Sequence, residues 1–244
     1  MRASVSHALD KQGINDALYG GQAVVTESMV SPLFDYYPAV ERAITRRAHD
    51  PRRAQQLLQE AGLSRGSDGF YTSMSGAPLS LEVGTTASAV NEAENAIHIE
   101  GFKRIGLNAT TFVLTVAMMR DNQAVTTFSG VFATGRTGGE DGLGDYTTTN
   151  IPRAENRWLG GNRGGWSNPA YDRAWDAFNT TLDRSERIQQ IAQMEKLVSE
   201  DVAAIPLFYT PRMIAHVATL RGPVARASRD AMELVHVDKW EWAS

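Results

Sequence analysis

The sequence predicts an α/β fold, and three observations carry that prediction. Residues 78–117 read as strand, helix and strand with short joins, the crossover unit from which parallel sheets are built. Two further stretches, beginning at Asp50-Pro51 and Asn168-Pro169, read as capped amphipathic helices able to cover such a sheet. Finally, the 244 residues are 42% hydrophobic and 21% charged, a globular composition that excludes disorder of the whole chain.

Taken in order, Ser6 to Tyr19 predicts one helix, with Ala8, Leu9, Ile14, Ala17 and Leu18 near helical period and Gly20-Gly21 as its stop. Gln22 to Ala48 contains Pro32, Pro38 and the trio Phe34, Tyr36 and Tyr37, which predicts a long irregular connection pinned by its own side chains. A helix follows from Pro51, capped by Asp50, with Ala54, Leu57, Leu58 and Ala61 as its stripe and Gly62 as its end. Asp68-Gly69 and Ser75-Gly76 mark turns between Phe70–Met74 and Pro78–Thr85, and Leu79, Leu81 and Val83 alternate as in a half-buried strand.

The helix of the crossover unit is expected over Val90–Ile105, with Ala93, Ala96, Ile97, Phe102 and Ile105 inward and Gly106 closing it. Leu107–Ala117 is rich in β-branched residues and predicts a strand, and Thr126–Ala133 predicts a shorter one. From Thr134 to Asn168 glycines multiply, as in GRTGGEDGLG, and neither period survives. Regular structure resumes with a helix carrying Tyr171, Ala174, Trp175 and Phe178, then one over Asp183–Val202 carrying Ile188, Ile191, Ala192, Met194, Leu197 and Val198. The tail holds apolar stretches at Ile205–Tyr209 and Met213–Val217 and a strand-like Met232–Val237.

Composition also limits function. With 24 Lys plus Arg against 28 Asp plus Glu the net charge is −4, so no nucleic-acid partner is expected. No apolar run approaches the roughly 20 residues of a membrane span. The absence of cysteine excludes disulfides and thiolate chemistry, and none of the five histidines sits four residues from another, so neither a metal nor a cofactor is expected. The glycine run lacks the Gly-Lys-Ser/Thr ending of a phosphate loop, and no nucleophile elbow is present. Carboxylates gather at Glu92, Glu94 and Glu100 and again at Glu140, Asp141 and Asp145. The first set suits a helix start, where negative charge meets the helix dipole. The loop acids leave open an alternative, a hydrolase or transferase domain, beside the expected reading of binding without catalysis.

As a set, VSHALDKQGINDALYGGQAV, DPRRAQQLLQEAG, DGFY, GAPLSLEVGTT and SNPAYDRAWDAFNTTLDRSERIQQIAQMEKLVSEDVAAIPLFY resemble the C-terminal half of the large solute-binding proteins of ABC importers, family 5, which carry peptides, nickel complexes and related solutes. The resemblance implies the second lobe of a type II (cluster C) periplasmic binding protein, a mixed sheet flanked by helices. It implies a small solute such as a peptide, ABC transporter permease subunits as partners, and a missing N-terminal lobe. By the same likeness the full-length protein is periplasmic or otherwise extracytoplasmic, with a secretion or lipoprotein signal. Residues 1–211 would form the lobe and 212–244 a return segment to the absent lobe, crossing near Thr210–Met213. Alone, such a lobe is expected to bind solute weakly or not at all.

Peptide-binding members carry a segment like Gly-Trp-x-Ala-Asp-Tyr whose aspartate meets the peptide amine. Here the matching stretch is Gly130–Gly135, with Val131 for the tryptophan and Thr134 for the aspartate, so that amine clamp is absent and Asp141 and Asp145 are the loop carboxylates left for the role. Phe132, Thr134, Arg136, Trp158 and Asn162 are the candidate solute-binding residues, chosen for their place at the end of the expected strand or in the loop behind it.

Overall fold

Two short helices occupy the N-terminus of the computed structural model where one was expected: α1 (Arg2–Ala8) and α2 (Lys11–Tyr19). Leu9 leaves helical geometry at ψ 115°, and the Asp10 carboxylate accepts the Gly13 amide, so the aspartate that interrupts the apolar period starts a second helix. The structure describes residues 1–73, 75–136, 138–210, 214–223 and 236–243.

The segment expected to be irregular contains strand β1 (Val24–Val25) and helix α3 (Tyr37–Ala43). Pro38 lies in the first turn of α3, where its missing amide costs nothing, so a residue that reads as a breaker opens the helix. Helix α4 (Pro51–Glu60) begins as expected, with Asp50 accepting the Arg53 amide and Ala54 and Leu58 fully buried. Ala61 falls outside the helix and is exposed. Asp50→Ala should therefore cost about 1 kcal/mol, read as a lower urea midpoint with unchanged slope. A loss below a few tenths would mean that water replaces the cap.

β2 (Ser64–Arg65) and β3 (Tyr71–Thr72) make an antiparallel ribbon around the Asp68-Gly69 turn. Then come β4 (Ser80–Thr86), α5 (Ala89–Arg104), β5 (Asn108–Leu114), a short α6 (Asn122–Thr126) and β6 (Gly130–Phe132). The order β5-β4-β6 is parallel throughout, and β4 and β5 are joined through α5 as the sequence predicts. The last strand is shorter than expected: α6, capped by Asp121, takes Thr126, and only Gly130–Phe132 pair with β4.

Helix α5 presents a different face from the one its apolar residues suggest. Ala93 and Ala96 are exposed, whereas Asn95, His98 and Phe102 are buried. The cause is polar: Asn95 Nδ2 donates to the Val83 carbonyl and Thr111 Oγ1, tying the helix to β4 and β5 together, and His98 Nε2 lies 3.2 Å from Glu94. Two alanines offer too little apolar area to compete with hydrogen bonds that would otherwise be lost in the interior.

The chain continues through α7 (Glu140–Leu143), several 3-10 turns, α8 (Pro169–Thr180), α9 (Arg184–Asp201), β7 (Phe208–Tyr209), β8 (Leu220–Arg221) and β9 (Glu241–Trp242). Asn168 caps α8 as expected, and Asp183, expected only as the start of its helix, caps α9 by accepting the Glu186 amide. β7 pairs with β1, and β8 with β9, both antiparallel. Of the strand expected at Met232–Val237, residues 232–235 lie outside the described residues and Val237 begins a 3-10 turn. In the expected crossing, Thr210–Met213, residues 211–213 also lie outside them, and Ile214–Val217 has no regular structure. Among the described residues no helix is long and apolar enough to cross a membrane.

Burial divides into two clusters. One joins α1, α4 and α5 to the parallel sheet through Val5, Leu58, Val83, Phe102, Ile105 and Leu107. The other joins α3, α8 and α9 through Val40, Tyr171, Phe178, Ile191, Met194 and Val198, with Trp166 and Leu143 plugged in from the glycine-rich segment.

Candidate functional site

In open α/β sheets ligands collect at the carboxyl ends of parallel strands, where loops diverge. Here those ends are Thr86, Leu114 and Phe132. β6 is an edge strand, and Gly130 lets it approach β4: at φ 124° its added Cβ would meet the Glu82 carbonyl at 2.3 Å. Phe132 lies across Gly84, whose added Cβ would meet the ring at 2.5 Å, and packs 5.1 Å from the Phe128 ring. Beyond the strand, Ala133 still donates to the Gly84 carbonyl, and Thr134 and Gly135 emerge exposed.

Arg136 then turns back onto the loop. It donates to the Gly161 carbonyl, and its guanidinium lies 3.6 Å from Asp145. This contact depends on two glycines: an added Cβ would meet the Asn150 carbonyl at 2.1 Å from Gly160 and Asp145 Oδ1 at 2.3 Å from Gly161. Gly160 and Gly161 thus serve close backbone approach.

Trp158 is half-buried and sits with Arg157 in the left-handed region, at φ 59° and 57°. Non-glycine residues there carry strain that surrounding contacts must hold. The restraint is local: Trp158 donates its amide to the Arg153 carbonyl, and Asn156 accepts the Arg153 amide and donates to the Ile151 carbonyl. Asn162 has a different place from the one expected of a solute contact. It is 2% exposed, its Nδ2 donates to the carbonyls of Tyr146, Thr147 and Trp166, and its Oδ1 accepts the Trp166 amide. Both its amide hydrogens are engaged within the loop, so it braces that loop from inside. The five candidates therefore divide: Phe132, Thr134 and Arg136 line the strand end, Trp158 stands on the braced turn, and Asn162 holds the loop together.

The loop acids do not form a shared pair. Glu140 is held by Arg187 at 2.8 Å, itself stacked 3.8 Å over the Phe178 ring, while Asp145 faces Arg136 and Asp141 is exposed.

Two residues were not singled out by sequence. Glu195 is 1% exposed on the inner face of α9, and its Oε2 accepts from Ser28 Oγ at 2.8 Å and from the Met29 amide at 3.0 Å. Its Oε1 has no hydrogen-bond partner among the described residues, and burial pushes the carboxyl up to about 7. Its spacing from Ile191 and Val198 places it on the apolar stripe, a signal that was legible in the periodicity. Arg163 follows Asn162 and is half-buried with its Nε out of contact with solvent.

Residues 1–135 match the family described as bacterial extracellular solute-binding proteins, family 5, middle region. Among solved structures, NikZ from Campylobacter jejuni in complex with Ni(L-His) is 18% identical, with 98% of this chain covering 48% of that one at a TM-score of 0.77. The oligopeptide-binding protein AppA from Bacillus subtilis, in complex with a nonapeptide, is 21% identical over 100% of this chain and 47% of its own, at 0.74. The oligopeptide-binding protein from Thermus thermophilus, complexed with pentapeptide, is 23% identical over 86% of this chain and 37% of its own, at 0.71. The chain thus spans less than half the length of each. No curated protein matches it at a comparable level. The structural likenesses show the fold of type II periplasmic binding proteins. Since the family match takes in 135 of 244 residues, the chain belongs to the bacterial extracellular solute-binding proteins, family 5.

Proposed function

We propose that the chain is a solute-capturing lobe of an ABC importer's binding protein and performs no chemistry of its own. The observation that carries this reading is the open edge of β6 at the carboxyl end of the sheet, followed by exposed Thr134–Arg136. An extended peptide or similar solute can add its backbone groups along such an edge, while side chains behind it set orientation. Phe132, Thr134, Arg136 and Trp158 supply that lining, with Asn162 as its support. The solved relatives hold a pentapeptide, a nonapeptide and Ni(L-His), which supports a small solute as cargo and a peptide as its first candidate.

The mechanism is one of population. A solute resting on one lobe stays half solvated, and a second lobe closing over it completes its contacts and favours the closed state. In this reading residues 1–211 are the lobe, 212–244 lead back to the first lobe, and the assembled protein works outside the cytoplasm, lipid-anchored, delivering to permease subunits. The separate arginine partners of Glu140 and Asp145 give the hydrolase alternative no support.

Native mass spectrometry of the full-length parent protein purified from its host tests the reading. A bound small molecule released on activation is expected. Parent protein that carries none and takes up none from a peptide mixture would overturn it. Within the same protein, Trp158→Ala should weaken solute binding about tenfold by removing a braced aromatic wall. Unchanged affinity in a calorimetric titration would remove Trp158 from the site.

A further inference from the structure

Glu195 plays no part in the capture reading, yet its hydrogen bonds lead to the loop behind β6. Its Oε2 accepts from Ser28 Oγ and from the Met29 amide. Met29 is then held at two further points: its carbonyl accepts the Gly139 amide at 2.7 Å, and Tyr146 Oη donates to its sulfur at 3.7 Å. Gly139 is the residue from which α7 starts, a few positions beyond exposed Thr134 and Gly135. Tyr146 follows Asp145, the partner of Arg136, and its carbonyl accepts from Asn162. Ser28 and Met29 thus tie two points of the site loop to α9.

The tie is tight on the side of the loop. A Cβ added at Gly138 would stand 2.8 Å from Tyr209 Oη and 2.9 Å from the Met29 carbonyl oxygen, and Tyr209 Oη donates to the Ser28 carbonyl at 3.3 Å. It is incomplete at the carboxyl, whose Oε1 is buried without a hydrogen-bond partner among the described residues. Glu27, paired with Lys11 at 2.6 Å, and Arg47 line a small cavity with Glu195. Arg47 directs its donors to the Ser199 and Glu200 carbonyls. The other titratable neighbours are Tyr36, Tyr37, Tyr146 and Tyr171 of the cluster around α9, and Tyr209 of β7. Burial raises these hydroxyls above their ordinary value, so they stay neutral where Glu195 titrates.

We propose that Glu195 is a positioning residue for the solute site: through Ser28 and Met29 it sets Gly139 and Tyr146, and with them the loop behind β6, according to whether its carboxyl carries a proton. The inference rests on the solute-capture reading and adds a regulator to it. Protonated, the carboxyl is neutral and sits in the interior with Ser28 and Met29 bound to Oε2. Ionised, it is a buried charge with one bare oxygen, which favours arrangements that bring water to it. The arrangement that keeps the proton therefore loses ground as pH rises from about 4.5 to about 7. Movement of Ser28 and Met29 off the carboxylate frees Gly139 and Tyr146 as well, so solute is held more firmly at acid pH.

Backbone amide shifts of the nitrogen-15-labelled chain, followed from pH 5 to 8, test the relay. Met29, Gly139, Thr134 and Gly135 should share one titration with a midpoint near 7, while Val83 in the parallel sheet stays still. E195Q should abolish the shared titration and leave the Val83 signal in place. Ser28→Ala removes a bond that favours the ionised form and should carry the midpoint to higher pH; should E195Q fail to fold, that displacement decides. A titration confined to Ser28 and Met29, a midpoint indifferent to Ser28→Ala, or a Thr134 and Gly135 response that survives in E195Q would overturn the relay. No solute enters this readout. A shared titration in a chain whose parent captures nothing would support the relay and sink the capture reading, whereas a solute-bearing parent whose loop ignores pH would sink the relay and leave capture intact.

Discussion

Replacing Asn162 by alanine should cost about 4 kcal/mol, because buried backbone groups left without partners lose about 1–3 kcal/mol each and only part of that is recovered by relaxation. The side chain serves three carbonyls and one amide, all within residues 146–166. The damage should not stop at the loop. Trp166, whose amide bonds Asn162, also donates from its indole to Asp201 at 3.0 Å and packs edge-on at 5.0 Å against Tyr171. Tyr171 in turn donates to the Leu143 carbonyl at 2.6 Å. Loosening Trp166 therefore unseats the cluster between α8 and α9.

Urea unfolding gives the number, and tryptophan fluorescence of Trp166 gives the location. Asn162→Asp is the informative companion, since it keeps the acceptor for the Trp166 amide but sets a carboxylate against three carbonyl oxygens. It should be at least as destabilising as alanine. Should the alanine variant lose less than about 1 kcal/mol, water would have replaced the amide and the residue would not be the brace described.

What was legible in the sequence was local. Asp50-Pro51 and Asn168-Pro169 announce helix starts because a cap acts within three residues of itself, and the structure places those helices where the sequence predicts them. The strand–helix–strand unit was legible for the same reason, as was the family resemblance. Long-range partnerships were not. Nothing in the order of residues says that Asn95 finds Thr111, that Asn162 folds back on Tyr146, or that Glu195 meets Ser28 across more than 160 positions. Each is a polar residue whose burial is decided by a distant partner, and Asn162, which braces the loop, lies in a segment with no period from which an inward face could be read.

Glu195 yields the second large effect, a stability that falls as pH rises. In the unfolded chain its carboxyl titrates near 4.5, and in the folded protein burial holds it up at about 7. Between those values the folded state keeps a proton that the unfolded state has released. Stability from this group is therefore complete below 4.5, declines through the interval, and is lost by about 7, a total of about 3 kcal/mol. Glu195→Gln keeps the shape and an oxygen acceptor for Ser28 and Met29 but cannot ionise. It should remove this slope, making the variant more stable than the parent chain by about 2 kcal/mol at pH 8 and no more stable at pH 4. Ser28→Ala supplies the converse, because the Ser28 hydrogen bond favours the ionised form and its removal should carry the decline to still higher pH. Urea midpoints collected from pH 4 to 8 decide the matter. A slope that survives in Glu195→Gln would mean that the carboxyl is solvated through the small cavity lined by Ser6, Glu27, Arg47 and Ser199, and that Oε1 finds its partner there in water.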